Sequence, residues 1–226
     1  MGETATHVLL FAVVAALSPV ALLATVAVLT SRRGRANGAA YLAGFVLGQA
    51  AAFVAAFLAG SAATANRPGG HEGLAAGMEL AFGLGLLVLA WPERRRGVAA
   101  PGAGPSRTER LLGRLRGLRP GTAFSVGALL GVGGVKRLSI TIVAGASVGI
   151  AGLLPVEDVL LGALYVVVAS VLVWLPAGAY LVAGERADRW MGEAEAWLLF
   201  NEHRLTFFST LFFGLLLTSD ALFRLL

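Results

Sequence analysis

Residues 122–150 read TAFSVGALLGVGGVKRLSITIVAGASVGI, an apolar stretch with two adjacent cations, Lys136 and Arg137, near its middle. A helix of this length would rise about 43 Å, which exceeds the roughly 30 Å of a bilayer's hydrocarbon core. Glycine lowers helix stability by about 1 kcal/mol relative to alanine, and glycines occupy positions 127, 131, 133 and 134. We therefore predict a membrane-spanning helix that breaks near residues 131–135.

Long apolar stretches recur on both sides of this segment. Only 14% of the 226 residues are charged, 57% are hydrophobic, and the mean hydropathy is +0.79. The apolar runs are continuous rather than alternating, which favours helices over the strands of a closed barrel. We predict an all-α integral membrane protein with six transmembrane helices, at residues 7–30, 36–60, 73–91, 122–150, 156–183 and 205–222.

The positive charges lie mostly in alternate loops. Three arginines fall in 31–35, eight in 92–120 and three in 184–204, against only Arg67 and Arg224 on the opposite side. The positive-inside rule then places both termini outside the cytoplasm, in a multi-pass protein of the inner (plasma) membrane. The net charge of +5 is interpreted as this topology signal, with contact to anionic lipid, and not as nucleic-acid binding.

The order of the spans indicates two related halves. We predict a first three-helix repeat at 1–91, a basic cytoplasmic linker at 92–120, and a second three-helix repeat at 121–226 that includes an interfacial helix at 184–204. Three spans per half make the second half enter the membrane from the opposite side, as in inverted-topology repeats. The spacing from Pro19 to Gly44 nearly equals that from Lys136 to Gly162, and each glycine follows or precedes a tyrosine, Tyr41 or Tyr165.

Both halves contain a residue pattern that interrupts their first helix. Proline removes a backbone donor and clashes with the preceding turn, and paired interrupted helices are the best sequence pointer to a transporter's binding site. The predicted substrate-binding residues are Ser18, Pro19, Gly133, Gly134, Lys136 and Arg137. We expect Lys136 to attract an anionic group on the substrate. Three alternatives stay open: the cations snorkel to the interface, pair with a buried carboxylate, or mark a re-entrant loop.

Few residues within the predicted spans can balance a buried cation or couple transport to an ion gradient. The candidates for a coupling or counter-ion role are Glu79, Gln49 and Asp220. Glu79 is the favoured one, because Asp220 ends its span near the interface.

Two further patterns concern packing. Glycines four residues apart recur at 44 and 48, 73 and 77, 127 and 131, and 145 and 149, and such small faces let helices approach closely within one subunit. Trp174-Leu175-Pro176 predicts a kink in the fifth span.

Several activities are not expected. The chain has no cysteine, which excludes disulfides and thiol chemistry. The three histidines have no metal-ligand spacing, and no phosphate-binding glycine loop occurs. Residues 145–149 match G-x-S-x-G, but the predicted topology brings no base to Ser147. We expect neither an enzyme nor a resident metal or cofactor.

The motifs together resemble a known family. Leu17-Ser18-Pro19, the arginine-rich loop 32–35, Asn37 and residues 41–45 (YLAGF) resemble the GAP family, the glycopeptidolipid- and sulfolipid-addressing proteins of the LysE transporter superfamily. The segment around Lys136, followed by residues 141–145 (TIVAG), is similar to that family's Asn-Pro-Lys motif. Gly134-Val135 stand where Asn-Pro is expected, so only Lys136 and the proline at 19 carry over. The superfamily's thiol-electron branch needs cysteines that this chain lacks.

The resemblance implies a three-plus-three arrangement of spans and export of small metabolites or surface glycolipids. We expect a transporter that exports or flips a lipid-linked or glycolipid intermediate, or another anionic amphipathic metabolite, by alternating access. One alternative is a LysE-like exporter of amino acids or small metabolites. Another is a non-transporting scaffold for glycolipid export. Expected partners are the lipid bilayer and the lipid substrate, with a homodimer or an envelope-biosynthesis enzyme as further options.

Overall fold

The architecture described here is that of a computed structural model. It describes residues 2–65 and 117–183, with isolated residues at 84, 113, 115, 193, 196, 197, 200, 201, 204, 207, 208, 211, 212, 214, 215, 218 and 219. Within these residues the chain is helical and contains no strand. The helices are α1 (Gly2–Ala16), α2 (Pro19–Leu29), α3 (Gly34–Ala65), α4 (Pro120–Val132), α5 (Val135–Ala151), α6 (Pro155–Ala169) and α7 (Val171–Ala183).

One described helix is long and apolar enough to cross a membrane by itself, over Gly34–Thr64 of α3. Three pairs of consecutive helices reach that length only as bent units: α1 with α2 at 57°, α4 with α5 at 65°, and α6 with α7 at 61°. The described residues therefore supply up to four spans. The predicted spans 73–91 and 205–222 lie outside them, apart from isolated residues, so the six-span inverted repeat stays a prediction.

The first two breaks lie where the sequence predicts them. Pro19 begins α2 rather than kinking a continuous helix, and its fixed φ suits that first position. Ser18 precedes it in an extended conformation, and its side chain accepts a hydrogen bond from the Ala21 N–H at 3.4 Å. The second break lies at Gly133 and Gly134, within the predicted 131–135, and Gly133 has a φ of 87°.

The third bend is not where the sequence predicts it. Pro176 lies inside α7, and the helix breaks six residues earlier, at Ser170. Two carbonyls near this break have side-chain partners, because the Trp174 Nε1 donates to Val167 O at 2.9 Å and the Arg137 guanidinium donates to Ala169 O. Side-chain contacts with these carbonyls stabilise the bend at Ser170. The local sequence pattern around Pro176 does not include the Arg137 contact, and it therefore predicts the bend at the wrong residue.

The long helix α3 packs along both α4 and α5. A methyl group added at Gly44 would lie 2.1 Å from the Phe124 carbonyl oxygen, and one at Gly127 would lie 2.2 Å from the Tyr41 carbonyl oxygen. The same tight approach to backbone or side-chain atoms occurs at Gly48, Gly131, Gly145 and Gly149. The predicted close packing within one subunit is confirmed for these three pairs. The pair at 73 and 77 lies outside the described residues.

The end of the predicted linker contacts the first half. Leu115 is only 2% exposed, and it packs in the same apolar cluster as Tyr41 and Phe45 of α3. The Asn37 side-chain amide donates to Leu118 O at 3.0 Å and to the Ser31 hydroxyl at 2.9 Å. These contacts join the residues just before α4 to α3.

Candidate functional site

A cavity of about 290 Å³ lies where the break between α1 and α2 faces the break between α4 and α5. Its walls come from the end of α1, the start of α2, the end of α4 and the start of α5. The lining includes all six predicted substrate-binding residues, namely Ser18, Pro19, Gly133, Gly134, Lys136 and Arg137. The fold thus brings together two segments that are more than a hundred residues apart in the sequence.

The two cations of the cavity lie at an electrostatically unfavourable place on α5. They occupy its first turn, after the N-cap Gly134, where the helix dipole already contributes positive potential. Glycine has no side chain to cap the first-turn N–H groups, and no side-chain cap bond forms there. Helix stability therefore does not explain why Lys136 and Arg137 lie here.

Arg137 turns its guanidinium into the protein core, and its residue is only 6% exposed. The Nε donates to Gln49 Oε1 at 2.9 Å, a terminal nitrogen donates to Ala169 O, and the Cζ lies 4.5 Å from the Phe45 ring centroid. The other terminal nitrogen, Nη1, is buried and has no hydrogen-bond partner among the described residues. These partners are neutral, so they hold the cation without cancelling its charge.

A chain of buried polar groups continues from Arg137. Gln49 is fully buried, and its Nε2 donates to the Thr141 hydroxyl at 2.9 Å. The Thr141 hydroxyl is also 2.9 Å from the Tyr165 hydroxyl and 2.9 Å from the Arg137 carbonyl oxygen. We call Arg137, Gln49, Thr141 and Tyr165 the arginine network. It links α3, α5 and α6 and, through Ala169 O, reaches the break before α7.

The residues around the first helix break have part of the same arrangement. Thr25 and Thr141 each lie seven residues after the N-cap of the helix that follows a break. Each donates to the carbonyl four residues earlier, at 2.7 Å for Thr25 and 2.9 Å for Thr141. Tyr41 and Tyr165, both almost fully buried, contact these turns from the next span. The Tyr41 hydroxyl donates to Ala21 O at 3.4 Å.

The predicted coupling residues divide between the described and undescribed parts of the chain. Glu79 and Asp220 lie outside the described residues, and their placement stays a prediction. Gln49 lies against Arg137 as a neutral hydrogen-bonding partner. Within the part that the structure describes, no group of three His, Cys, Asp or Glu residues is arranged to hold a metal ion.

Sequence reasoning does not identify Thr141, Phe45 and Ala169 as members of the site. Phe45 and Ala169 contribute a ring face and a backbone carbonyl, which no residue-type pattern marks. The signal available for Thr141 is its equivalence to Thr25, since each lies seven residues after the N-cap of its helix. Only a structural alignment of the two breaks makes this equivalence visible.

The described residues define an all-helical membrane protein whose interrupted helices surround a buried cationic site. The chain belongs to the family of Sap, the sulfolipid-1-addressing protein, since the model of that family matches residues 8–222. This match confirms the resemblance to the sulfolipid-addressing proteins. No curated protein and no solved structure matches the chain.

The two glycines of the second break give a matched pair for a stability test. A methyl group at Gly133 would lie 2.6 Å from Arg137 Cβ, and the backbone there, with φ 87° and ψ 174°, is a conformation essentially restricted to glycine. Gly134 has φ −73° and no atom within 4 Å of an added methyl group. We expect Gly133→Ala to destabilise the protein by about 1–3 kcal/mol and Gly134→Ala to have little effect, as measured by denaturant unfolding in detergent. Equal effects would contradict the assigned backbone at the break.

Proposed function

We propose that this protein is a transporter that exports or flips an amphipathic lipid with an anionic headgroup. The observation that carries the proposal is the cavity in which two helix breaks, one from each half, meet around Lys136. Irregular backbone at membrane depth is tolerated where it is buried in protein or lines a water-filled cavity. Discontinuous helices of this kind form the substrate sites of many secondary transporters.

An inverted repeat accounts for the paired contacts. The broken unit α1–α2 packs against α6–α7, and α3 packs against the broken unit α4–α5. The first span of each half thus contacts the second span of the other, as a two-fold axis in the membrane plane would require. The matching positions of Thr25 and Thr141, and of Tyr41 and Tyr165, support the same proposal. Alternating access then consists of one half rocking against the other around the cavity.

The charge of the site supports an anionic substrate. Lys136 lines the cavity, and Arg137 adds a second positive charge whose described hydrogen-bonding partners are neutral. At low dielectric such charges act strongly over several ångströms. A sulfated or phosphorylated headgroup fits this potential, and the family description names a sulfolipid-addressing protein. We extend the proposal to a plasma-membrane location with both termini outside the cytoplasm, and to a function without covalent chemistry.

A flux assay with a fluorescent lipid tests the proposal. Purified protein in liposomes is mixed with sulfatide that carries a nitrobenzoxadiazole label, and dithionite reports how fast the label crosses the bilayer. We expect Lys136→Ala to lower the rate by about tenfold or more, because a charge-assisted contact worth more than 1.4 kcal/mol is lost. Lys136→Arg keeps the charge, and we expect it to retain most of the activity.

Arg33→Ala is the matched control for loss of one positive charge. Arg33 is exposed and lies outside the cavity lining, so its removal is expected to leave flux unchanged. Equal flux in wild type and Lys136→Ala would remove the proposed site. A wild-type protein with no intrinsic flux of any lipid would instead favour the scaffold function, and flux of amino acids without lipid flux would favour the small-metabolite exporter.

A further inference from the structure

A second, larger recess lies between α3 and α6, and it shares no lining residue with the cavity. It encloses about 650 Å³, more than twice the volume of the cavity. Its lining runs along α3 from residue 50 to residue 58 and along α6 from residue 155 to residue 167. We call it the α3–α6 groove. Every lining residue is apolar except Asp158.

The groove is open on the side away from the protein core. Val54, Leu58 and Val159 on its rim are 52%, 59% and 70% exposed. Phe53 and Gly162 lie close together in its lining, since a methyl group added at Gly162 would be only 3.0 Å from the Phe53 ring. In a membrane protein an open apolar recess of this kind is filled by hydrocarbon, because an empty one forfeits dispersion contacts along its whole surface.

Asp158 gives the groove a polar end. Its Oδ1 is buried and has no hydrogen-bond partner among the described residues. The adjacent Glu157 already accepts the Leu154 N–H at 3.2 Å, so the start of α6 is capped without Asp158. Asp158 as a whole is only half-buried, but its buried oxygen is shielded from water and is stabilised by a hydrogen-bond donor. A hydroxyl group of a sugar supplies such a donor, whereas a phosphate or sulfate placed at the same point would be repelled.

The groove is adjacent to the arginine network. The Phe53 ring stacks on the Tyr165 ring with centroids 5.0 Å apart, and the Tyr165 hydroxyl bonds Thr141 in that network. One stacked pair of rings therefore separates an apolar recess from the buried cationic centre. The groove is therefore a site distinct from the cationic centre, and it lies close to it.

We propose that the α3–α6 groove binds an acyl chain of a glycolipid, with a sugar hydroxyl of its headgroup donating a hydrogen bond to Asp158. The groove is then a lateral lipid site that opens toward the bilayer. Its role as the tail site of the transported lipid rests on the proposed function, whereas glycolipid binding itself does not.

Photocrosslinking in nanodiscs tests the groove directly. The probe is galactosylceramide with a diazirine in its acyl chain, diluted in phosphatidylcholine so that random lipid contacts give little signal. We expect adducts within residues 50–58 and 159–167. Ala163→Trp fills the groove from the exposed face of α6, and we expect it to lower these adducts by about tenfold, because the apolar contact area for the chain is lost.

Leu129→Trp is the matched control, because Leu129 is 73% exposed on α4 and lies outside the groove lining. It is expected to leave the adducts unchanged. Asp158→Asn replaces a charge-assisted bond with a neutral one, and we expect about fivefold fewer adducts. Asp158→Asn also provides a test of the groove if Ala163→Trp fails to fold. Equal adduct yield in wild type and a folded Ala163→Trp variant, or in wild type and Asp158→Asn, overturns the proposal.

Competition by unlabelled lipids distinguishes glycolipids from other lipids that carry hydrogen-bond donors. The sulfatide flux assay distinguishes this lipid site from the proposed transport function. Unlabelled galactosylceramide is expected to compete with the probe, and phosphatidylethanolamine is not. Equal competition by phosphatidylethanolamine overturns the glycolipid assignment. Groove-dependent adducts in a protein without sulfatide flux support the lipid site and overturn the transporter. Normal flux with adducts insensitive to Ala163→Trp overturns the groove alone.

Discussion

Alanine at Gly44 is expected to prevent α3 and α4 from packing. The added methyl group would lie 2.1 Å from the Phe124 carbonyl oxygen and 3.0 Å from the Ala128 nitrogen. Both are backbone atoms of a helix, so no side chain can move aside to make room. The two helices must separate, and the reciprocal contacts of Gly127 with Tyr41 are lost with them. We expect a loss of about 3 kcal/mol or more, at the upper end of the usual cost of overpacking.

Unfolding in detergent, followed by circular dichroism, measures this effect. Gly178→Ala is the matched control, because Gly178 is an exposed residue of α7 with no atom within 4 Å of an added methyl group. Alanine there is expected to be neutral or to stabilise the helix by up to about 1 kcal/mol. If Gly44→Ala unfolds at the same point as Gly178→Ala, the close approach of α3 to α4 is wrong.

Alanine at Arg137 is expected to abolish transport and to destabilise the protein. The substitution leaves Gln49 Oε1 and Ala169 O without their donor. Each buried acceptor left unpaired costs about 1–3 kcal/mol, and relief of the guanidinium's desolvation offsets part of this cost. We expect a net loss of about 2–4 kcal/mol in unfolding free energy, and sulfatide flux at the level of protein-free liposomes.

A double-mutant cycle with Gln49→Ala separates the hydrogen bond from the general cost of disturbing the core. Both residues belong to one network, so their effects are expected to be non-additive by about 0.5–3 kcal/mol. A parallel cycle of Arg137→Ala with Gly178→Ala is expected to be additive, because a methyl group added at Gly178 has no atom within 4 Å. Additive behaviour of Arg137 and Gln49 would contradict the bond between them. Normal flux in Arg137→Ala would remove Arg137 from the site.

The helix breaks illustrate how far sequence reasoning reaches. Pro19 after Ser18, and Gly133 with Gly134, determine the first two breaks by local backbone chemistry, and both are found where predicted. The third break is different, because Pro176 marks the wrong position and the break lies at Ser170. Its stability depends on Arg137, 32 residues away from Ala169. No local pattern contains that information.

The two adjacent cations illustrate the same limit at the site. The sequence places Lys136 and Arg137 together near the middle of an apolar stretch, and three roles for them stay open. In the structure Lys136 lines the cavity, while the Arg137 guanidinium bonds Gln49 and Ala169 O inside the core. The sequence also leaves open whether a lipid can enter the protein sideways from the bilayer. The α3–α6 groove forms only when α3 and α6, which are far apart in the sequence, pack together.

The sequence by itself determined that the chain is helical and membrane-embedded, that its first and fourth predicted spans break, that glycine faces pack tightly, and which family it belongs to. The first three properties follow from hydropathy, backbone stereochemistry and the spacing of residues close together in the chain, and the family follows from the resemblance of its motifs, which the family match confirms. Tertiary structure alone decided the direction of Arg137, the bend at Ser170 and the shape of the groove. The physical reason is that the partners concerned lie far apart in sequence, such as Gln49 and Thr141 at a separation of 92 residues, and only packing makes them neighbours.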